Sequence, residues 1–358
     1  MPPKKKQKIT EAPKKTPIIF QAPGLQPDIR LKVFDNEFIA HSQILKLYSA
    51  FFRKFLDSPD KQLNHDVQAH DRSRGMDGHV DNGKFKYEWV TEVDDDGTWS
   101  LVAASNASQN NPDFSAYKGD KKKDSFAFER LLCAMYMKPY EIEDCEDLQS
   151  IVDLSDYYCA LPVISRSLGT VLLRSRRFVH SIPRHSVKIH QLAVKLRHEA
   201  LYRDSLMFII GCIEEPKYDL LKAPLAENAK NRYNELVAYV FQVEQRLLQE
   251  LLYAEEPESD MLLELLKAAK YDPENLIDEP YEMSIYFRRI LNNNCNFEGG
   301  FSGTSLDAVR KALENTTTLA QHVQVGHLSL EEPNDCEYFL CAEKVTGALP
   351  WDPEEVDW

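Results

Sequence analysis

The stretch Asp28-Ile29-Arg30-Leu31-Lys32-Val33-Phe34, continued by Glu37-Phe38-Ile39-Ala40-His41-Ser42-Gln43-Ile44-Leu45 and Ser49-Ala50-Phe51-Phe52-Arg53-Lys54-Phe55-Leu56, constrains this chain more than any other. Ile29, Leu31 and Val33 alternate with Arg30 and Lys32, the period-two pattern of a strand with one buried face. Asp35-Asn36 supplies a turn pair, because both residue types tolerate left-handed backbone. Phe38 and Ala40 continue the alternation on a return strand. His41-Ser42 marks a helix start, with Ser42 as the N-cap for a helix carrying Ile44, Leu45, Leu47 and Tyr48. Ser49 caps a second short helix whose Phe52, Phe55 and Leu56 share one face.

The chain has 358 residues, enough for two domains, and its 43% hydrophobic content can fill a core. A formal charge of −14 opposes a general nucleic-acid binder, which needs a basic face against phosphate. No apolar run reaches membrane-span length; Phe208-Ile209-Ile210-Gly211-Cys212-Ile213 is a short buried segment. The N-terminal lysines have no apolar stretch behind them and so do not form a signal peptide. Seven cysteines, an odd number without paired spacing, point to reduced thiols inside the cell. Residues 1–26, rich in Pro and Lys and without apolar periodicity, read as a disordered basic tail. Within it Lys4, Lys5, Lys6 and Lys8 form a candidate nuclear import signal, which places the protein in the nucleus with the cytoplasm as a second compartment.

Residues 57–124 read as a long insertion. Polar residues up to about Gly83 form a loop; then two alternating runs, residues 85–93 and 98–102, flank Asp94-Asp95-Asp96-Gly97, a β-hairpin signal. A calcium loop with Gly97 at its sixth position would need a bidentate acid at its twelfth, where Ala103 stands. Beyond a second polar loop, Ser125 caps a helix bearing Phe128, Leu131, Leu132, Met135 and Tyr136. Pro139 ends it, and Tyr140-Glu141-Ile142 reads as a short strand. Leu148, Ile151, Val152 and Ser155 mark the next helix, running to Cys159, and Ile164, Leu168, Val171 and Leu172 another.

The order and residue types of residues 28–56 and 125–173 resemble a BTB/POZ domain, an interaction module. That resemblance implies an α+β fold: a BTB/POZ-like domain over residues 27–177, with a small sheet capped by helices and the hairpin inserted, followed by an α-helical domain. A third strand is expected in the insertion, with residues 99–102 able to supply it. His41 stands where the family has a structural histidine. Residues 178–292 carry amphipathic helices: Ile189, Leu192, Ala193, Leu196 and Ala200 on one face, then Tyr233 to Leu251, then Met261 to Ala269. This region is similar to the helical extension of fungal BTB proteins. Residues 293–358 form a C-terminal segment with an acidic, Trp-containing tail.

No catalytic constellation is present: there is no Gly-rich phosphate loop, nucleophile elbow or His-Glu-x-x-His. The resemblance implies a non-enzymatic protein–protein interaction protein, a nuclear scaffold or regulatory cofactor that needs no cofactor of its own. A homodimer through the BTB-like domain is one implied assembly. The alternative role is substrate adaptor for a cullin-type ubiquitin ligase. Adaptors in that family often carry an apolar-x-Glu triplet after the second helix, and Phe55-Leu56-Asp57 is the shorter acidic match. Candidate partner-binding residues are therefore Phe51, Phe52, Phe55, Leu56 and Asp57, of which at least half must serve the core. Trp351 and Trp358, in an acidic Pro-containing tail, either anchor a partner or fold back on the chain's own helices. His322, His327, Cys336 and Cys341 are of zinc-ligand type, but five-residue separations are wider than a Cys-x-x-Cys knuckle.

Overall fold

The structure, a computed structural model, describes residues 16–57, 85–107, 114–213, 215–270, 283–294, 300–320, 340–341, 348–355 and 358. The chain is α+β: an N-terminal mixed sheet of five strands with helices, followed by a mainly helical region. Two compact units are present, the described residues of Met1–Tyr140 with Asp153–Ile164, and those of Glu141–Val152 with Ser165–Trp358.

In the first unit the strands are β1 (Ile18–Ile19), β2 (Ile29–Val33), β3 (Asn36–Ala40), β4 (Tyr87–Val93) and β5 (Trp99–Ala103), in the order β1-β3-β2-β4-β5. The alternation of β2 has its expected effect: Ile29, Leu31 and Val33 are fully buried and Lys32 is exposed. The β2–β3 pairing is antiparallel with Val33 opposite Asn36, so the turn pair is Phe34-Asp35 rather than Asp35-Asn36. Phe34 adopts φ 50°, a costly conformation for a bulky residue. Tertiary packing accounts for the shift. The Phe34 ring lies 5.2 Å from Trp99, 5.3 Å from Phe114 and 4.9 Å from Tyr117 between centroids. Its N–H donates to Thr91 Oγ1 at 2.9 Å.

β4 runs parallel to β2, with Ile29 opposite Tyr87 and Leu31 opposite Trp89, and β5 returns antiparallel to β4. The acidic hairpin is therefore real, with Gly97 at φ 87° in its turn. The strand beside β2 is β4, however; Trp99–Ala103, expected to supply the third strand, lies one place further out. Within residues 16–26, assigned from sequence to the tail, β1 pairs parallel with β3, and Phe20 is buried against Phe38 and Tyr136. Residues 1–15, with the lysine cluster, lie outside the described residues.

Between β3 and β4 stand α1 (Ser42–Tyr48) and α2 (Ala50–Phe55). Ser42 is inside α1, not its cap. Its N–H and hydroxyl both donate to the Asp28 carboxylate, at 2.7 and 2.6 Å, so an acid from the start of β2 satisfies the helix end. Ser49 caps α2 as expected, accepting from the Phe52 N–H at 3.1 Å while its hydroxyl donates to the Tyr158 carbonyl at 2.6 Å. Helix α3 (Lys121–Met135) begins earlier than the Ser125 cap anticipated. Asp120 caps it through the Lys122 and Lys123 N–H groups, and Ser125, buried, donates instead to the Val33 carbonyl. His41 is structural: its N–H donates to Tyr136 Oη at 2.7 Å and its Nδ1 lies 2.8 Å from the same oxygen. Nε2 on the other side of the ring lies 3.3 Å from the Leu25 carbonyl, so both ring nitrogens face a partner.

Helices α4 (Cys145–Tyr157) and α5 (Leu161–Leu172) follow. Tyr140-Glu141-Ile142 is not a strand; the Ile142 N–H donates to Ser175 Oγ at 2.9 Å instead of to a strand partner. The second unit continues with α6 (Arg176–Ser181), α7 (Ser186–Leu196), α8 (Glu199–Ile210), α9 (Leu225–Tyr253), α10 (Glu258–Lys270), α11 (Met283–Asn294) and α12 (Gly303–Leu313). The face read through to Ala200 is broken at Arg197, which closes α7 at φ 51°, so Ala200 belongs to α8. Helix α12, inside the C-terminal segment 293–358 where no helix is expected from sequence, carries Leu306, Val309 and Ala312 on its buried side. Glu250 of α9 tethers its start, accepting from the Ser302 hydroxyl at 2.9 Å and the Ser305 hydroxyl at 2.5 Å.

Phe34→Asn tests whether packing outweighs turn chemistry. Asn suits φ 50° better but abandons three aromatic neighbours. The first unit is expected to lose about 2–4 kcal/mol in urea unfolding, the core-truncation range less the strain relieved; an unchanged or raised midpoint would refute the account.

Candidate functional site

Helix α2 distributes its candidate residues over two environments, since consecutive positions on a helix lie about 100° apart. Phe52 is fully buried and its ring stacks on Tyr158, with centroids 5.3 Å apart and planes 7° from parallel. Leu56 is 1% exposed. These two belong to the core and present nothing to a partner. Phe51 and Phe55 are half-buried, their rings 4.7 Å apart, and Tyr157, 50% exposed, lies 5.6 Å from Phe51. The Lys54 ammonium stands 5.4 Å from the Phe55 ring centre. The result is a partly exposed aromatic face with a cation at its rim, resting on Tyr158 and Trp89, which lie 5.1 and 6.2 Å from Phe51. Large exposed aromatics beside a buried platform are what interface anchors require. Sequence reasoning did not single out Tyr157. The adjacent pair Tyr157-Tyr158 was the available signal: with one ring packed inward, its neighbour on the same helix turn faces away.

Asp57, next to this face, is held by its own unit. Lys46 Nζ donates to both carboxylate oxygens, at 2.7 and 2.8 Å, and Tyr87 Oη donates at 3.0 Å. The Lys46 hydrogen bonds, then that of Tyr87, hold the carboxyl below the usual aspartate range.

Both tail tryptophans lie on the second unit. Trp351 meets Tyr202 edge-to-face with centroids 5.3 Å apart. The Arg197 guanidinium lies 4.7 Å over the Trp358 ring and donates to the Glu355 carboxylate at 2.6 Å. Tyr202, 3% exposed, stacks on His190, which shares a hydrogen bond of 3.0 Å with Ser205 Oγ. Within the single chain, both indoles rest on residues of its own helical unit.

Cys341 is buried, and burial pushes its thiol up to about 11, away from the thiolate a metal needs. His322, His327 and Cys336 lie outside the described residues, as do Lys4, Lys5, Lys6 and Lys8. Among the described residues no group of three or more His, Cys, Asp or Glu is placed to hold a metal ion, and no helix is long and apolar enough to cross a membrane.

Burial pushes both His190 and His198 down to about 4. They are neutral in the fold, whereas an unfolded histidine takes up a proton near pH 6.5. Their contribution is complete above that pH and is lost as pH falls toward about 4. The second unit is expected to weaken by up to roughly 3 kcal/mol per histidine between pH 7 and 4, with about half the slope removed by His190→Gln. A urea midpoint measured across this range and found flat would refute the burial reading.

Searches with this chain against models of protein families, curated proteins and solved structures find no match.

Proposed function

We propose that this chain is a non-enzymatic protein–protein interaction protein whose N-terminal unit is a BTB/POZ-type module, acting as a nuclear scaffold or regulatory cofactor. The observation that carries the reading is the order of elements around β2: hairpin partner β3 on one side, then the short helices α1 and α2, then β4 parallel on the other side. A helix, α3, and a helix pair, α4 and α5, follow as that module requires. Strands β1 and β5 are additions to the minimal sheet, and residues 140–142 depart from it by not pairing.

The aromatic face of Phe51, Phe55 and Tyr157 is the partner surface in this reading. Two of its side chains were candidates from sequence; Phe52 and Leu56 act behind it. Nuclear placement rests on the charge of Lys4, Lys5, Lys6 and Lys8. In the adaptor alternative Asp57 would meet a cullin, but its carboxylate is already engaged by Lys46 and Tyr87, so the scaffold reading is preferred.

Light scattering of the full chain across concentration tests the proposal. A dimer that Tyr157→Asp converts to a monomer is expected for self-association, because the exposed ring can be replaced without opening the core. A monomer that co-purifies a cullin, and loses it on Tyr157→Asp or Asp57→Ala, would transfer the assignment to the adaptor. A monomer whose cell-derived partners are all unaffected by Tyr157→Asp would overturn the interface.

A further inference from the structure

We propose that the α7–α8 corner around Arg197 and Tyr202 is a docking site for acidic peptides bearing two tryptophans, and that Trp351, Glu355 and Trp358 occupy it in cis as a displaceable plug. Trp351, Glu355 and Trp358 are spaced four and three residues apart, so that one short segment reaches Tyr202 with its first indole and Arg197 with its carboxylate and second indole. An arginine that pairs with a carboxylate and also covers an aromatic face uses both chemistries of its planar guanidinium.

Arg197 occupies a left-handed position, φ 51°, at the end of α7. Gly or Asn would adopt that backbone at less cost. Helix termination alone does not call for arginine here, whereas recognition of an acidic aromatic segment does. Its side chain is 20% exposed, most of its surface being covered.

The fit is incomplete. The Trp358 indole Nε1–H is buried without a hydrogen-bond acceptor among the described residues. Leaving a buried donor unmet is costly. Displacing the resident segment returns that donor to water, so the unmet group favours exchange for another ligand. The chain's own segment holds the site because tethering gives it an effective concentration that a free peptide must match. Local charge sets the preference for acid: although the chain as a whole carries −14, Glu355 pairs directly with Arg197. This site lies within the second unit and does not depend on the BTB/POZ reading.

The test uses the full chain with Trp351→Ala and Trp358→Ala, its folding verified by circular dichroism, titrated with a fluorescein-labelled synthetic peptide of residues 348–358. Binding by anisotropy is expected, roughly tenfold or more tighter than to the wild-type chain, whose own segment competes. Adding Arg197→Glu is expected to abolish it, and 0.5 M salt to weaken it. No binding to the folded double variant, equal binding to wild type and variant, or indifference to Arg197→Glu would each overturn the proposal. If the double variant does not fold, Glu355→Lys, at a half-exposed position, takes its place with the same outcomes.

Discussion

The central strand β2 depends on one residue at its start. Asp28 donates its N–H to the Ala40 carbonyl of β3 and accepts the Tyr87 N–H at the start of β4. Its carboxylate meanwhile holds the first turn of α1 through Ser42. Both neighbours of β2 and the helix that departs between them are thus registered against a single position. A parallel partner cannot be reached by a tight turn, because a crossover must carry the chain back to the same end of the sheet. Helices α1 and α2 begin that crossover, and their inward residues Leu45, Phe52 and Leu56 are buried. Removing Asp28's carboxylate would leave a helix end unsatisfied close to the buried face of β2, a more serious loss than a surface cap.

What the sequence revealed follows the range of the forces involved. Period-two alternation placed β2, β3 and the β4–β5 hairpin, and Ser49 announced its own helix, because each depends on residues a few positions apart. The errors lie where distant groups decide. Ser42 looks like a cap from its neighbours, yet Asp28 holds that helix end and takes both of the serine's bonds, while Ser125 is drawn to the distant Val33 carbonyl. Asp35-Asn36 is the better turn pair in isolation, but three aromatic rings from residues 99–117 draw Phe34 into the turn. Parallel pairing of β4 with β2 leaves no local mark, so residues 99–102 read as well for the inner strand as β4 does. Helix α12 was legible in Ser302, Leu306, Val309 and Ala312 and was hidden by the polar residues between them.

The candidate interface shows the same division at side-chain scale. The sequence puts Phe52, Phe55 and Leu56 on one face, but the helix turns Phe52 and Leu56 inward and leaves Phe55, with Phe51, half-covered. The inward pair is what makes the outward pair useful. Phe51 rests against Tyr158 and Trp89, so its ring is held in place before any partner arrives, and less side-chain freedom is lost on binding. Tyr157 completes that face only because Tyr158, one residue on, is locked by its stack on Phe52.

The tail makes a related point about charge. An acidic segment in a chain of −14 experiences general repulsion from the rest of the protein, and screening at physiological salt confines that repulsion to about 8 Å. Within this distance the local arrangement decides, and Arg197 presents a cation whose flat face is matched to an indole. The tryptophans add apolar area that salt does not screen. Attraction that is part ionic and part apolar, with one indole N–H left unmet, holds a segment firmly without making it a permanent part of the core. The residues that look most like a partner's anchor in the sequence are therefore the ones the fold uses to cover a surface of its own.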